Sequence, residues 1–177
     1  MSSIQLHDKH FKPFITSEKI AEVIGQVAQK IQNDYHEKNP LFIGVLNGSF
    51  LFAADLVRHF EGNCEVSFIK LASYEGTSST GTIQELIGFN ENLEGRDLII
   101  IEDIVDTGNT LERIYQDLEK RNPKSIAFAT LLFKPNAYKK NIPINYIALE
   151  VGNEFLVGYG LDYDGLGRNL KDIYVVI

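Results

Sequence analysis

Cysteine is almost absent from this chain: Cys64 is the one cysteine among 177 residues. It leaves no partner for an intrachain disulfide and too few thiolates for a cysteine-based zinc site. Positive charge is also in deficit, with Lys+Arg 17 against Asp+Glu 24 and a net charge of -7. That balance argues against binding nucleic acid through its phosphates. It leaves room for an anionic ligand whose charge is met by backbone amides, local cations or a metal ion. No apolar run could span a bilayer, and the opening MSSIQLHDKHFKPF has none of signal-peptide length, so no membrane partner is expected. With no disulfide to form, the expectation is a soluble, cytoplasmic protein. Repeats, low-complexity tracts and linkers are missing too, and residues 1–177 read as a single domain. Hydrophobic residues at 44% and charged residues at 23% exclude wholesale disorder.

What is present is a pattern of alternating helices and buried strands. Ile20, Val23, Ile24, Val27, Ala28 and Ile31 recur at helical spacing behind Thr16 or Ser17 as N-cap, and the helix ends before Asn39-Pro40. LFIGV (41–45) reads as a short buried strand, Asn47-Gly48-Ser49 as a turn, and a second amphipathic helix runs to about His59. Cys64 to Ala72 reads as a strand with Cys64 as a packing residue, SYEGTSSTG (73–81) as a polar loop, and TIQELIGF (82–89) as an alternating strand. Leu98 to Ile101 is a continuous apolar run. A helix is expected from Thr110 to Lys120, and strands at Ser125–Phe133 and Asn145–Leu149. Near-continuously apolar strands between helices indicate an α/β fold with a mostly parallel, doubly wound sheet. Ligands of such sheets sit beyond the strands' carboxyl ends, here just after Val45, Leu71, Ile101 and Phe133.

LIIIEDIVDTGNT (98–110) carries the most information. A buried strand ends in adjacent carboxylates, Glu102 and Asp103. The chain then passes through Asp106, Thr107, Gly108, Asn109 and Thr110 into a helix. Small residues there can curl backbone N–H groups around a phosphate, with hydroxyls from Thr107 and Thr110 and a helix N-terminus behind them. The carboxylate pair suits a hydrated Mg²⁺ or the two hydroxyls of a ribose. GLGRNL (165–170) is only half of a dinucleotide fingerprint, and no GxxxxGK[ST] exists.

This block resembles the phosphoribosyl-pyrophosphate (PRPP) motif of type I phosphoribosyltransferases. The likeness continues through IGVLNGSFLFAADL (43–56), SYEGTSSTG (73–81), LLFKPNA (131–137) and FLVGYGLDYDGLGRNL (155–170), which resemble segments of the family's 6-oxopurine branch. The resemblance implies the family's fold with a small hood and a mobile lid loop. It implies Mg²⁺-dependent transfer of 5-phosphoribose from PRPP to hypoxanthine or guanine, giving IMP or GMP and pyrophosphate in purine salvage.

It also implies roles. Asp106 faces N7 of the purine and exchanges its proton. Glu102 and Asp103 hold the ribose hydroxyls and Mg²⁺. The loop Thr107–Thr110 takes the phosphate, while Asn47, Gly48, Ser49 and Arg168 meet pyrophosphate. Lys134 donates to O6, Phe155 stacks on the base, and the Leu156 backbone reads its edge. Asp162 lies in the purine-binding segment and contributes to a second Mg²⁺. Ser73 and Tyr74 begin the lid, the Leu46–Asn47 peptide is cis, and the assembly is a homodimer or homotetramer. Asn47 departs from the family pattern, which often has Lys there, and this leaves backbone amides as the contacts. At the level of sequence two other functions stay open: a PRPP-sensing regulator that binds nucleic acid, and a phosphoribosyltransferase for another base such as xanthine or adenine.

Overall fold

The computed structural model describes residues 3–72, 84–89 and 91–177. In chain order the elements are β1 (Ile4–Leu6), β2 (Lys9–Ile15), α1 (Ser17–Tyr35), β3 (Leu41–Leu46), α2 (Phe50–Arg58), β4 (Glu65–Ala72), β5 (Gln84–Ile87), β6 (Asp97–Val105), α3 (Asn109–Glu119), β7 (Ser125–Phe133), β8 (Tyr146–Glu150), β9 (Leu156–Val157) and β10 (Ile173–Val176). The main sheet has the order β5-β4-β3-β6-β7-β8. Its neighbours β4/β3, β3/β6, β6/β7 and β7/β8 are parallel, and β5 is an antiparallel edge.

Alternation along β6 explains why both sheet faces are covered. Ile99 and Ile101 pack into a core shared with α1 and α2, which includes Ile24, Val27, Phe42, Phe52 and Leu56. Leu98 and Ile100 point the other way and pack with Leu111, Ile114 and Leu118 of α3. Burying full-length Ile and Leu side chains on both faces gives each about 1.5–3 kcal/mol of transfer free energy, which makes the centre of the sheet the stable frame of the molecule. Helix α1 starts where expected: the Thr16 hydroxyl accepts from the Lys19 amide.

Chain order reverses between β3 and β6, so these strands flank the switch point at which doubly wound sheets bind ligands. The loop after β3 opens on the cis Leu46–Asn47 peptide expected from the resemblance. Differences from the sequence reading are small in the main sheet. Cys64 lies just ahead of β4 instead of within it, half-buried against the α1/α2 core, and burial raises its thiol pKa. The hood is a second, antiparallel sheet, β1-β2-β10-β9, which joins the first and last segments of the chain. No helix among the described residues is long and apolar enough to cross a membrane.

Candidate active site

The carboxyl end of β6 opens directly into a phosphate-sized cradle. Strand β6 stops at Val105, and Gly108 caps α3 with φ 85, a left-handed conformation that a β-carbon disfavours. No side chain caps α3, so its first amides point out of the helix toward whatever anion arrives. A β-carbon on Gly108 would also run into the Tyr138 ring. That ring stands edge-on to Phe133 at 5.3 Å, and its hydroxyl donates to the Ile142 carbonyl at 2.6 Å. Lys140 closes the same side through an ion pair with Glu112 at 2.6 Å. The result is a cavity of about 100 Å³ lined by Glu102, Asp106, Thr107, Gly108, Asn109 and Thr110.

Beside it lies a second cavity of about 290 Å³, between β3 and β6, lined by Leu46, Gly48, Glu102, Asp103 and Thr110. Glu102 is buried, and loss of water together with the neighbouring Asp103 charge holds its pKa well above the usual carboxylate range. Asp103 is pushed up to about 6, chiefly by burial, and hydrogen bonds from backbone amides, with the Arg168 guanidinium, only partly offset this. Gly48 packs against the Asp103 carboxylate so closely that any β-carbon would overlap it, and Gly160 of the hood packs equally tightly on the Gly48 carbonyl. Among the described residues no three His, Cys, Asp or Glu side chains gather into a cage able to hold a metal alone. Two adjacent, poorly solvated carboxylates could instead serve a hard cation that brings most of its ligands from water and substrate phosphates.

The third cavity, about 300 Å³, lies under the hood and is lined by Asp103, Asp106, Lys134, Phe155, Leu156, Leu161 and Asp162. Lys134 extends the β6/β7 pairing, its amide bonding the Val105 carbonyl at 3.0 Å. Its ammonium is buried and meets the Asp106 carboxylate at 3.0 Å. Phe155 leaves 43% of its surface exposed and lines this cavity together with Ile104, Leu156 and Leu161, alongside the charged groups.

The residues singled out by sequence therefore converge: Glu102, Asp103, Asp106–Thr110, Gly48, Lys134, Phe155, Leu156 and Asp162 line three adjoining cavities. Asn47 is exposed at the mouth of the β3 loop. The Ser49 amide is engaged with the Val45 carbonyl at 3.3 Å. Arg168 is held by the Gly160 carbonyl and by Asp162, both at 2.7 Å, and Asp162 also accepts from the Gly165 amide. Asp162 thus closes the Asp-Tyr-Asp-Gly turn while lining the same cavity as Asp103, and the Arg168 charge acts on Asp103. Ser73, Tyr74 and the rest of 73–81 lie outside the described residues. Tyr138, whose ring stands against Gly108 behind the Thr107–Thr110 loop, is a residue that sequence reasoning missed; nothing in KPNAY marks its ring as the wall of Gly108.

Comparison with known proteins gives the same answer. Residues 15–164 match the Phosphoribosyl transferase domain family. The hypoxanthine-guanine phosphoribosyltransferase of Streptococcus pyogenes is 42% identical over 152 residues, 85% of this chain and 84% of that protein. The enzyme of the same name from Staphylococcus aureus is 36% identical over 169 residues, 95% of this chain and 94% of that one. A crystal structure of a Bacillus anthracis hypoxanthine-guanine phosphoribosyltransferase superposes with a TM-score of 0.88 at 35% identity, covering 94% of this chain and 98% of the other. The chain belongs to the phosphoribosyltransferase family.

Proposed function

We propose that this protein transfers the 5-phosphoribosyl group of PRPP to a 6-oxopurine, hypoxanthine or guanine, releasing pyrophosphate. The observation that carries the reading is the Asp106–Lys134 pair, 3.0 Å apart at the mouth of a cavity floored by Phe155 and Leu156. A 6-oxopurine presents O6 beside N7, whereas a 6-aminopurine presents an N–H₂ donor at the same place. Lys134 is donor-only and ionised Asp106 is acceptor-only. The pair therefore fits O6 together with a protonated N7.

With N7 protonated, N9 carries a free lone pair. As the N9–C1′ bond forms and the C1′–O bond to pyrophosphate breaks, electrons leave with pyrophosphate and the N7 proton passes to Asp106. A positioned carboxylate contributes about 10²–10⁴-fold to such a transfer. The cradle of Thr107–Thr110 on α3 anchors the 5′-phosphate, which fixes C1′ in front of N9. Glu102 and Asp103 would face the ribose hydroxyls and offer their charge to C1′ as positive charge develops there. The same two carboxylates, with the pyrophosphate oxygens, would hold Mg²⁺, which supplies charge neutralisation to the leaving group. Arg168, paired with Asp162, adds a planar donor on the pyrophosphate side, and Asp162 in turn is available to a second Mg²⁺.

A self-association is part of the reading. Val66 and Phe68 of β4 and Ile87 of β5 are large apolar residues exposed at one edge of the sheet, a surface suited to a second copy of the chain. Its measured mass in solution should be that of a homodimer or homotetramer. Cys64, alone and half-buried, suits the reducing cytosol. The function is tested with PRPP, Mg²⁺ and each of hypoxanthine, guanine, xanthine, adenine and uracil, following nucleotide formation by absorbance. Turnover with hypoxanthine or guanine and not adenine or uracil is expected. Folded protein inactive on every purine overturns the proposal.

A further inference from the structure

Phe155 does not stand alone under the hood. Phe11 of β2, fully buried, meets its ring at 6.3 Å, and Tyr163 meets it edge-on at 5.6 Å and 83°. Tyr163 is gripped in turn by the tip of the β1–β2 hairpin. Its hydroxyl donates to Asp8 at 2.6 Å and accepts from the Lys9 ammonium at 3.1 Å. The same ammonium lies 4.2 Å from the Tyr163 ring centre and 5.7 Å from that of Phe155. His7 closes the far side, edge-on to Tyr163 at 5.6 Å, with Nε2 3.2 Å from the Asp164 carbonyl. Three consecutive residues of the hairpin thus clasp one tyrosine in the turn that also carries Asp162.

We infer that Tyr163, clamped by Asp8 and Lys9, is a positioning residue for the purine base. The Phe155 backbone is anchored by the Val176 amide, which donates to its carbonyl at 3.1 Å, but the side chain is 43% exposed, so the orientation of the ring is left to its aromatic neighbours. An edge-to-face neighbour restricts the ring to one orientation, and a base then docks on it without first having to freeze it. The cation beside the two rings reinforces that stack. Tyr163 does not line the cavity itself; it acts through Phe155. The inference rests on the assignment of Phe155 as the base platform.

Steady-state kinetics of Tyr163→Phe, Tyr163→Leu, Lys9→Met and Phe155→Ala test it. Tyr163→Leu is expected to raise the KM for hypoxanthine about tenfold, while the KM for PRPP and kcat stay within about twofold. Tyr163→Phe keeps the ring edge and loses only the hydroxyl clamp, so a partial rescue to about a threefold rise is expected, and Lys9→Met should match it. An unchanged purine KM in Tyr163→Leu, or a PRPP KM that rises in step with it, overturns the inference. If Tyr163→Leu does not fold, the Phe and Lys9 variants decide by the same criterion. A Phe155→Ala variant with unaltered purine KM overturns the platform assignment itself, and with it this inference. A raised KM in Phe155→Ala with none in the Tyr163 variants overturns the inference alone.

Discussion

The Lys134 ammonium and the Asp106 carboxylate lie 3.0 Å apart across the ends of neighbouring strands β7 and β6. The lysine is buried and the aspartate is half-exposed. A buried ammonium needs a partner, because an unpaired one would carry a desolvation cost of several kcal/mol. Asp106 satisfies that need. In the proposed reading, O6 and the N7 proton of an arriving base would divide the pair's hydrogen bonding between them, exchanging an internal ion pair for two contacts to substrate.

Asp106→Asn separates proton transfer from shape. The amide keeps the loop and a hydrogen bond to Lys134 but cannot take a proton. With chemistry rate-limiting, kcat should fall about 10²–10⁴-fold while the affinity for PRPP changes little. Single-turnover rates check this, and a fall under about threefold removes Asp106 from the catalytic role.

Asp103 gives a pH signature in stability. Its carboxyl is raised to about 6, mainly by burial, above the value near 4 of an unfolded chain. Below pH 4 it is protonated in both states and costs nothing. As pH rises through 6 the folded state must ionise a poorly solvated group, and that stability is lost. Asp103→Asn should therefore stabilise the ligand-free protein by about 1–2 kcal/mol at pH 7.5, after discounting for its remaining solvent contact, and by close to nothing at pH 4. Paired thermal melts at the two pH values measure the difference. The same variant should be severely impaired in turnover, since a site residue whose removal stabilises the protein is held there for chemistry.

Gly108→Ala tests the phosphate cradle. Alanine at φ 85 carries roughly 1–2 kcal/mol of left-handed strain, and its β-carbon meets the Tyr138 ring. The loop must shift to relieve both. The KM for PRPP should rise at least about tenfold, equivalent to about 1.4 kcal/mol. The KM for hypoxanthine should change less, because Lys134 and Phe155 stand on other elements. An unchanged PRPP KM would mean that the loop does not hold the phosphate.

The central sheet was legible in sequence because its signals are local. Five apolar strands and three helices announce themselves by periodicity, and Ser125–Phe133 is a strand to the residue. The acid pair with Asp106-Thr107-Gly108 was legible for the same reason: phosphate cradles need contiguous small residues. The hood's strands were not. β1 has three residues, β2 is interrupted by Lys12 and Pro13, and β9 has two. Their stability comes from β2 pairing with β10, where Phe11 meets Val176 across the length of the chain. A partner so remote leaves no periodic trace, and nothing local in the sequence joins Lys9 to Tyr163.

Lys134 is the proposed reader of the 6-position. The most direct measurement is the ratio of kcat/KM for hypoxanthine to that for adenine, in the unaltered protein and in Lys134→Gln. A neutral amide can donate to O6 or accept from an N6 amino group. The ratio should fall by about 10²-fold or more, through reduced hypoxanthine turnover and gained adenine turnover, because a charged donor facing an N–H₂ group is lost. An unchanged ratio, with both KM values as before, would make Lys134 a structural partner of Asp106 and contradict the proposed reading of the base.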